Sequence, residues 1–310
     1  MNSDINSPLV SILIPTYNQT IFLKKTLISA LEQDYPNFEI VICDDSTTTD
    51  VRLLVEQYQT KYKNIKYYHN GGPLGGRGVI NFQKCFEVCS GDYISYLCHD
   101  DIYMPNKVSV MINYLLNDDN IKLVTSYRKI IDLVDRVRPD LPITQPFYNE
   151  TKRVSGKEIG KYILKNLANV IGEPTTTLFR KVDIEGKIID YMGYEMGCLI
   201  DVGVWLKLLA SGDLIYIREP LSCFRIHPGQ NSWNRDLAVR GMIDWYKLIT
   251  LSYNEQLFIS DEDYKAAICS WVGSIRLSFP QAVIAFLENK DLYTELMGYY
   301  NEAIESINKG

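Results

Sequence analysis

Two adjacent carboxylates, Asp100 and Asp101, follow directly on the apolar run Tyr93–Cys98. Like charges side by side cost stability unless a positive charge lies beside them. Mg²⁺ and Mn²⁺ take oxygen ligands and keep water or phosphate oxygens in their remaining positions. Asp101, helped by Asp100, is therefore a candidate to hold such an ion against a diphosphate. The structural alternative is a pair of aspartates capping the next helix. A second acidic pair, Asp44-Asp45, precedes Ser46. An ionised carboxylate only accepts hydrogen bonds, so Asp45 suits the N3–H of uracil or thymine, or the N1–H and N2–H of guanine. Its alternative is a turn into a helix N-terminus. In Pro15-Thr16-Tyr17-Asn18, Tyr17 offers a flat face on which a base can stack.

The elements around these residues say where they lie. Leu9–Ile14 is an apolar run of strand length, ended by Pro15. Residues 20–33 place Phe22, Leu23, Leu27, Ala30 and Leu31 on one helical face. Phe38–Cys43 is a second strand. Residues 50–62 form a helix with Leu53, Leu54, Val55 and Tyr58 as its buried stripe. Ile65–His69 is a third strand, 79–89 a helix and 92–98 a fourth strand. Continuous apolar strands separated by helices predict a mostly parallel sheet covered on both faces. Ligands of such sheets sit beyond the carboxyl ends of the strands. That rule selects the loops after residues 14, 43 and 98, which are the three loops just described.

Farther on, a helix is predicted over 105–117, a strand over 121–127, a long loop over 135–153 and a helix over 155–168. Strands follow at Thr175–Arg180, Leu214–Ile217 and Leu221–Ile226, with a helix over 200–211. From about 236 only helical patterns remain, over 236–256, 262–279 and 281–307. The aromatics there (Trp245 with Ile249; Tyr264 with Ile268, Trp271 and Ile275) recur at helical spacing, as in core or helix–helix packing. This predicts packing on the preceding domain, a dimer surface or a partner surface. The helical pattern runs up to Lys309-Gly310, as in a piece of a longer chain.

Composition narrows the classes. The 310 residues are 46% hydrophobic, enough for a large core. A net charge of −6 provides no basic face for nucleic acid. Seven cysteines without CxxC spacing argue against a zinc cluster or a disulfide framework and for a reducing compartment. With no leader pattern and no apolar stretch of spanning length, the expected location is cytoplasmic, with peripheral attachment at the inner face of a membrane left open.

Taken together and in order, PTYN, DDS and GDYISYLCHDD resemble glycosyltransferase family 2, which has a GT-A fold. Glu32-Gln33, Asn70-Gly71-Gly72, Arg77, Asn81 and the YMPNK after the acidic pair match that family at similar spacing, the last in the style of its spore-coat members. The resemblance covers roughly residues 8–232. It implies an α/β fold of GT-A type, with a Rossmann-like mostly parallel sheet flanked by helices and a C-terminal helical extension. Implied domains are 1–235, with a nucleotide-binding half over about 8–127 and an acceptor half over 128–235, followed by 236–310.

The resemblance further implies an inverting, metal-dependent transfer of sugar from a nucleoside-diphosphate sugar, UDP favoured and dTDP second, to a hydroxyl of a glycan or lipid-linked glycan. Pro15, Thr16, Tyr17, Asn18, Asp45, Arg77 and Asp100 are carried over to the nucleotide. Asp101, Asp100 and His227 are carried over to Mn²⁺ or Mg²⁺. The family pattern L-D-x-D-D departs here to Leu97-Cys98-His99-Asp100-Asp101, and no role passes to Cys98, since a thiol is a poor Mg²⁺ ligand. In the family, the general base opens a helix in the second half. Asp201, at the head of an apolar helical run, fits that place, with Glu195 and Glu173 in reserve and an N-cap as the structural alternative. Arg225, Gln230 and Ser232, in the turn around His227, are expected near phosphate. His99 and His69 are expected to be structural.

Two rival readings stand. A nucleotidyltransferase wants a Gly-rich loop with Arg and Lys after the first strand; here the Gly-rich stretch follows the third and lacks the G-K-[ST] ending of a P-loop. A sugar-nucleotide binding or scaffolding module that has lost catalysis would have no need of Asp201.

Overall fold

The computed structural model describes residues 7–230, 234–277 and 289–308. The expected contact of Ser232 and the helical pattern over 278–288 lie outside the described residues. The chain divides into two compact units. The first is formed by residues up to Val154 with Val170–Ile188 and Ser211–His227. The second is formed by Ser155–Asn169, Ile189–Ala210 and the described residues from Pro228 onward. Neither unit is continuous in sequence, so a single boundary at residue 235 does not separate them.

The first unit carries the sheet. Its elements begin β1 (Val10–Thr16), α1 (Ile21–Leu31), β2 (Phe38–Asp44), α2 (Asp50–Gln59), β3 (Ile65–His69), α3 (Val79–Val88) and β4 (Tyr93–Tyr96). The strand order is β3-β2-β1-β4, with all four parallel. The apolar runs that predicted these strands are buried over residues 10–14 and 39–43, as a sheet covered on both faces requires. Beyond them come β5 (Ile102–Tyr103), α4 (Lys107–Asn117), β6 (Ile121–Ile131), β7 (Val137–Arg138), β8 (Lys152–Val154), β9 (Thr177–Arg180) and β12 (Asp213–Arg225). β9 runs antiparallel between β4 and β6, and β12 runs parallel to β6. The sheet is mixed and largely parallel, as expected.

Several expectations are corrected. Pro15 does not end β1. It pairs with Cys43 on β2, whereas β4 pairs with β1 only as far as Leu13, so the missing N–H falls past that ladder. On α2 the buried positions are Val51 and Val55, while Leu53 is half exposed. The two late strands are one, β12, because register shifts around Pro220 absorb the break. The loop over 135–153 contains β7 and the start of β8, each pairing briefly with β6 or β12.

The second unit contains α5 (Gly156–Asn166), the short hairpin β10 (Asp190–Tyr191) and β11 (Tyr194–Glu195), α6 (Ile200–Ser211, all but its last residue), α7 (Arg235–Asn254), α8 (Asp261–Leu277) and α9 (Lys290–Asn308). The aromatic stripes are core here. Trp271 is fully buried, donates from Nε1 to Met242 O at 2.7 Å, and its ring lies 5.0 Å from that of Tyr246.

Candidate functional site

The carboxyl ends of β1, β2 and β4 bring three loops to one edge, and hydrogen bonds stitch them together. Asn18 Oδ1 accepts from Thr47 N at 3.0 Å, and Asn18 N donates to Ser46 Oγ at 2.8 Å. Asn18 holds this link with φ at +45°, a region that Asn tolerates. His99 Nδ1 accepts from Tyr17 N at 3.4 Å and lies 3.2 Å from Thr16 Oγ1. Burial lowers the His99 pKa, which keeps the ring neutral and that nitrogen an acceptor. His99 is thus the clasp between the first and third loops, and His69 braces Ser46 and Gly71. Tyr17, projecting from this frame, is 49% exposed.

Asp44 and Asp45 separate into two roles. Asp44 is fully buried and accepts from Tyr67 Oη at 2.6 Å and Ser46 N at 2.8 Å. Asp45 Oδ1 accepts from Asn70 Nδ2 at 2.8 Å and its Oδ2 from Leu74 N at 3.4 Å, and Asn70 is held in turn by Asn81 Oδ1 at 2.9 Å. An ionised carboxylate has about four acceptor sites, so Asp45 keeps capacity for a ligand. The glycine-rich turn after β3 carries Arg77 at φ +52°.

At the end of β4 the two carboxylates differ again. Asp101 is fully buried; its Oδ1 accepts from Arg225 N at 2.9 Å and its Oδ2 from Thr175 Oγ1 at 2.5 Å. Burial, with Asp100 and Glu173 nearby, pushes its carboxyl well above the usual range. Asp100 is the more open of the two, and its Oδ2 lies 2.9 Å from His227 Nε2. One ligand atom from each of Cys98, Asp100 and Asp101 lies within 4.8 Å of the others. Two carboxylates with an adjoining imidazole are a donor set that fits Mn²⁺ or Mg²⁺. Burial holds the Cys98 thiol protonated, so it does not compete as a thiolate.

In the second unit, Asp201 occupies the first turn of α6. Its Oδ2 accepts from Asn169 Nδ2 at 2.7 Å and its Oδ1 from Val202 N at 2.9 Å. Those bonds fix the carboxylate at the head of an apolar helix.

The Glycosyl transferase family 2 model matches residues 11–184, more than half of the chain. The chain belongs to that family. Among similar proteins, an uncharacterized glycosyltransferase of Rickettsia prowazekii is 29% identical over 238 residues, covering 75% of this chain and 68% of that one. One from Methanocaldococcus jannaschii is 25% identical over 268 residues, covering 84% and 85%. The solved structure of S. aureus TarS 1-349 in complex with UDP-GlcNAc superposes with a TM-score of 0.65 at 17% identity, covering 95% of this chain and 81% of that one. The complex of TarS 1-349 with UDP gives 0.67 at 17%, covering 95% and 80%. The fold is thus GT-A-like and the protein is a transferase enzyme. Among the described residues no helix is long and apolar enough to cross a membrane.

Within this family 2 chain, tertiary structure revises one expected phosphate contact and adds partners. Arg225 does not face open phosphate: its side chain is fully buried, bonded to Asp100 O and Asp132 O, ion-paired to Asp135, and stacked over Phe22. Glu173, held in reserve as a base, ion-pairs through Oε2 with Arg128 Nε at 3.1 Å, while its buried Oε1 has no hydrogen-bond partner among the described residues. Thr175 and Asn169 carried no signal at the sequence level. Lys107 is buried against Met111 and Tyr103, and burial lowers its pKa to about 7, opposed by Glu173.

Proposed function

We propose that this enzyme transfers a sugar, with inversion, from a UDP-sugar to a hydroxyl of a glycan or lipid-linked glycan in a cytoplasmic polysaccharide pathway, at the inner face of a membrane where the acceptor is lipid-linked. A dTDP-sugar is the second donor. The observation that supports this reading is the placement of Tyr17, Asp45 and the Asp100–His227 pair in loops at one sheet edge, where they would serve as base platform, base acceptor and cation-binding pair. The likeness to a fold solved with UDP and UDP-GlcNAc supports it.

Each unit takes its own task. In the first, Tyr17 stacks on the base and Asp45 accepts its N3–H, while Pro15, Thr16 and Asn18 hold the backbone that presents them. Arg77 approaches the phosphates from the glycine-rich turn. Asp101, Asp100 and His227 are the metal ligands, and Asp101 is held by Arg225 N and Thr175 Oγ1. A bound Mn²⁺ or Mg²⁺ supplies charge neutralisation at the diphosphate. In the second unit, Asp201 is the general base. It takes the proton of the acceptor hydroxyl as that oxygen bonds to the anomeric carbon. The bond from that carbon to the diphosphate oxygen breaks on the opposite side, and nucleoside diphosphate leaves with the electron pair.

Thermal stability with UDP, dTDP, GDP and CDP, each with and without Mn²⁺, tests the donor reading. A ligand at 100 times its Kd stabilises by about 2.7 kcal/mol. Stabilisation by UDP only with Mn²⁺ is the expected result. No stabilisation by any of the four removes the donor assignment. UDP binding without turnover on any acceptor would favour the binding-module alternative.

A further inference from the structure

The second unit contains a buried carboxylate that the transfer reaction does not itself use. Asp244 lies on α7, fully buried among apolar neighbours such as Ile243 and Leu248. A carboxylate in such a place is costly unless several donors meet it. The donors come from one short stretch of chain. Asp244 accepts from Tyr194 Oη at 2.8 Å, from Gly197 N at 3.2 Å, from Cys198 N at 2.7 Å and from Leu199 N at 2.8 Å. Three consecutive backbone amides thus point at one side chain, in charge-assisted bonds stronger than neutral ones.

That stretch ends where α6 begins. Leu199, whose N–H is held by Asp244, gives its carbonyl to Gly203 N at 3.0 Å, the first bond of the helix. Two residues past Leu199 is Asp201. The loop is also pressed onto the helix: Met196 fills the space over Gly203, where a Cβ would collide with its sulfur. The position and direction of the first turn of α6 therefore depend on a carboxylate more than forty residues downstream.

We infer that Asp244 is a positioning residue for catalysis: from the C-terminal helices, it anchors loop 194–199 and so sets the place of Asp201. This rests on the reading of Asp201 as the base. It makes the helical segment a working part of the transferase.

The test is D244N in the full chain. Asn keeps the shape but turns one acceptor oxygen into a donor facing donors. Four measurements are made on the folded variant: amide hydrogen exchange at 197–199, kcat, donor KM, and the acid limb of the kcat–pH profile. Faster exchange at these amides and a kcat loss of about 10²-fold, the scale of a 1 Å misplacement, are expected, with donor KM and Mn²⁺-dependent stabilisation by UDP unchanged. The acid limb moves to lower pH, because a negative charge near Asp201 has gone. A D244N enzyme that is less stable but has wild-type kcat and acid limb overturns the inference. Should D244N not fold, Y194F carries the test. It removes one donor, and is expected to speed exchange at 197–199 and lower kcat severalfold; an unchanged kcat overturns the inference. D201N is run beside them. Turnover lost in D201N but intact in D244N sinks the role of Asp244 alone, whereas turnover retained in D201N sinks the base assignment beneath it.

Discussion

His227 Nε2 lies 2.9 Å from Asp100 Oδ2, joining the residues just past β12 to the loop after β4 across more than a hundred residues of sequence. Both side chains are largely shielded, and Phe22 packs against the imidazole with ring centroids 5.0 Å apart. The two side chains form a hydrogen-bonded pair, and they are the candidate ligands of the proposed cation site.

This pair yields the first prediction. H227A and D100N should each lose the Mn²⁺-dependent part of the stabilisation by UDP, detected as a smaller melting-point shift with metal. A full metal-dependent shift in both variants would show that the pair is not the ligand set.

Tyr17 carries the second. The ring is half exposed on a frame pinned by Asn18 and His99, so Y17A should leave the fold intact. Loss of base stacking should weaken UDP binding by about 1–3 kcal/mol. Titration calorimetry of both proteins measures the difference, and equal affinities would remove Tyr17 from the nucleotide site.

Thr175 carries the third. Its hydroxyl donates to the buried Asp101 and its oxygen accepts from Cys98 N at 3.1 Å. T175V keeps the shape and removes both bonds. A buried group left without its partner costs about 1–3 kcal/mol, read as a lower urea midpoint. No change in midpoint would mean that Asp101 is not braced from this side.

Lys107 gives a prediction in pH. Burial lowers its folded pKa to about 7, against roughly 10.4 in the unfolded chain. Between those values the unfolded state binds the extra proton, so stability from this residue rises with pH. It is fully present above the unfolded pKa and is lost as pH falls through 7. Wild type should therefore gain urea resistance relative to K107M between pH 7 and 9. A constant difference between the two proteins would show that Lys107 stays charged in the folded state across that range.

Much of the donor edge was legible before any tertiary structure. The runs at 10–14, 38–43 and 93–96 are apolar on every residue or nearly so, and that pattern demands burial on both faces. A parallel sheet then sends its loops to one edge, so PTYN, DDS and HDD had to meet there. The errors were local. Pro15 reads as a stop, but its missing N–H matters only if a neighbour needs it, and β4 does not reach that far. Strand β12 reads as two strands because a bulge such as that at Pro220 leaves no trace in hydrophobic spacing.

The sequence by itself determined which residue types stand at the strand ends and at the head of α6, because short-range periodicity sets strands and helices and their order sets the loops. Only tertiary structure decided what each of those residues has left to offer. Asp100 and Asp101 are adjacent and chemically alike. One is turned to His227, while the other is buried between Thr175 and the backbone of Arg225. Arg225 reads as an exposed cation in a polar turn and proves to be buried structure. Asp244, in a helix that reads as packing, holds three amides beside Asp201. Such differences arise from desolvation and from hydrogen bonds between residues tens to more than a hundred positions apart. No local pattern encodes those pairings, since they exist only once the chain has folded.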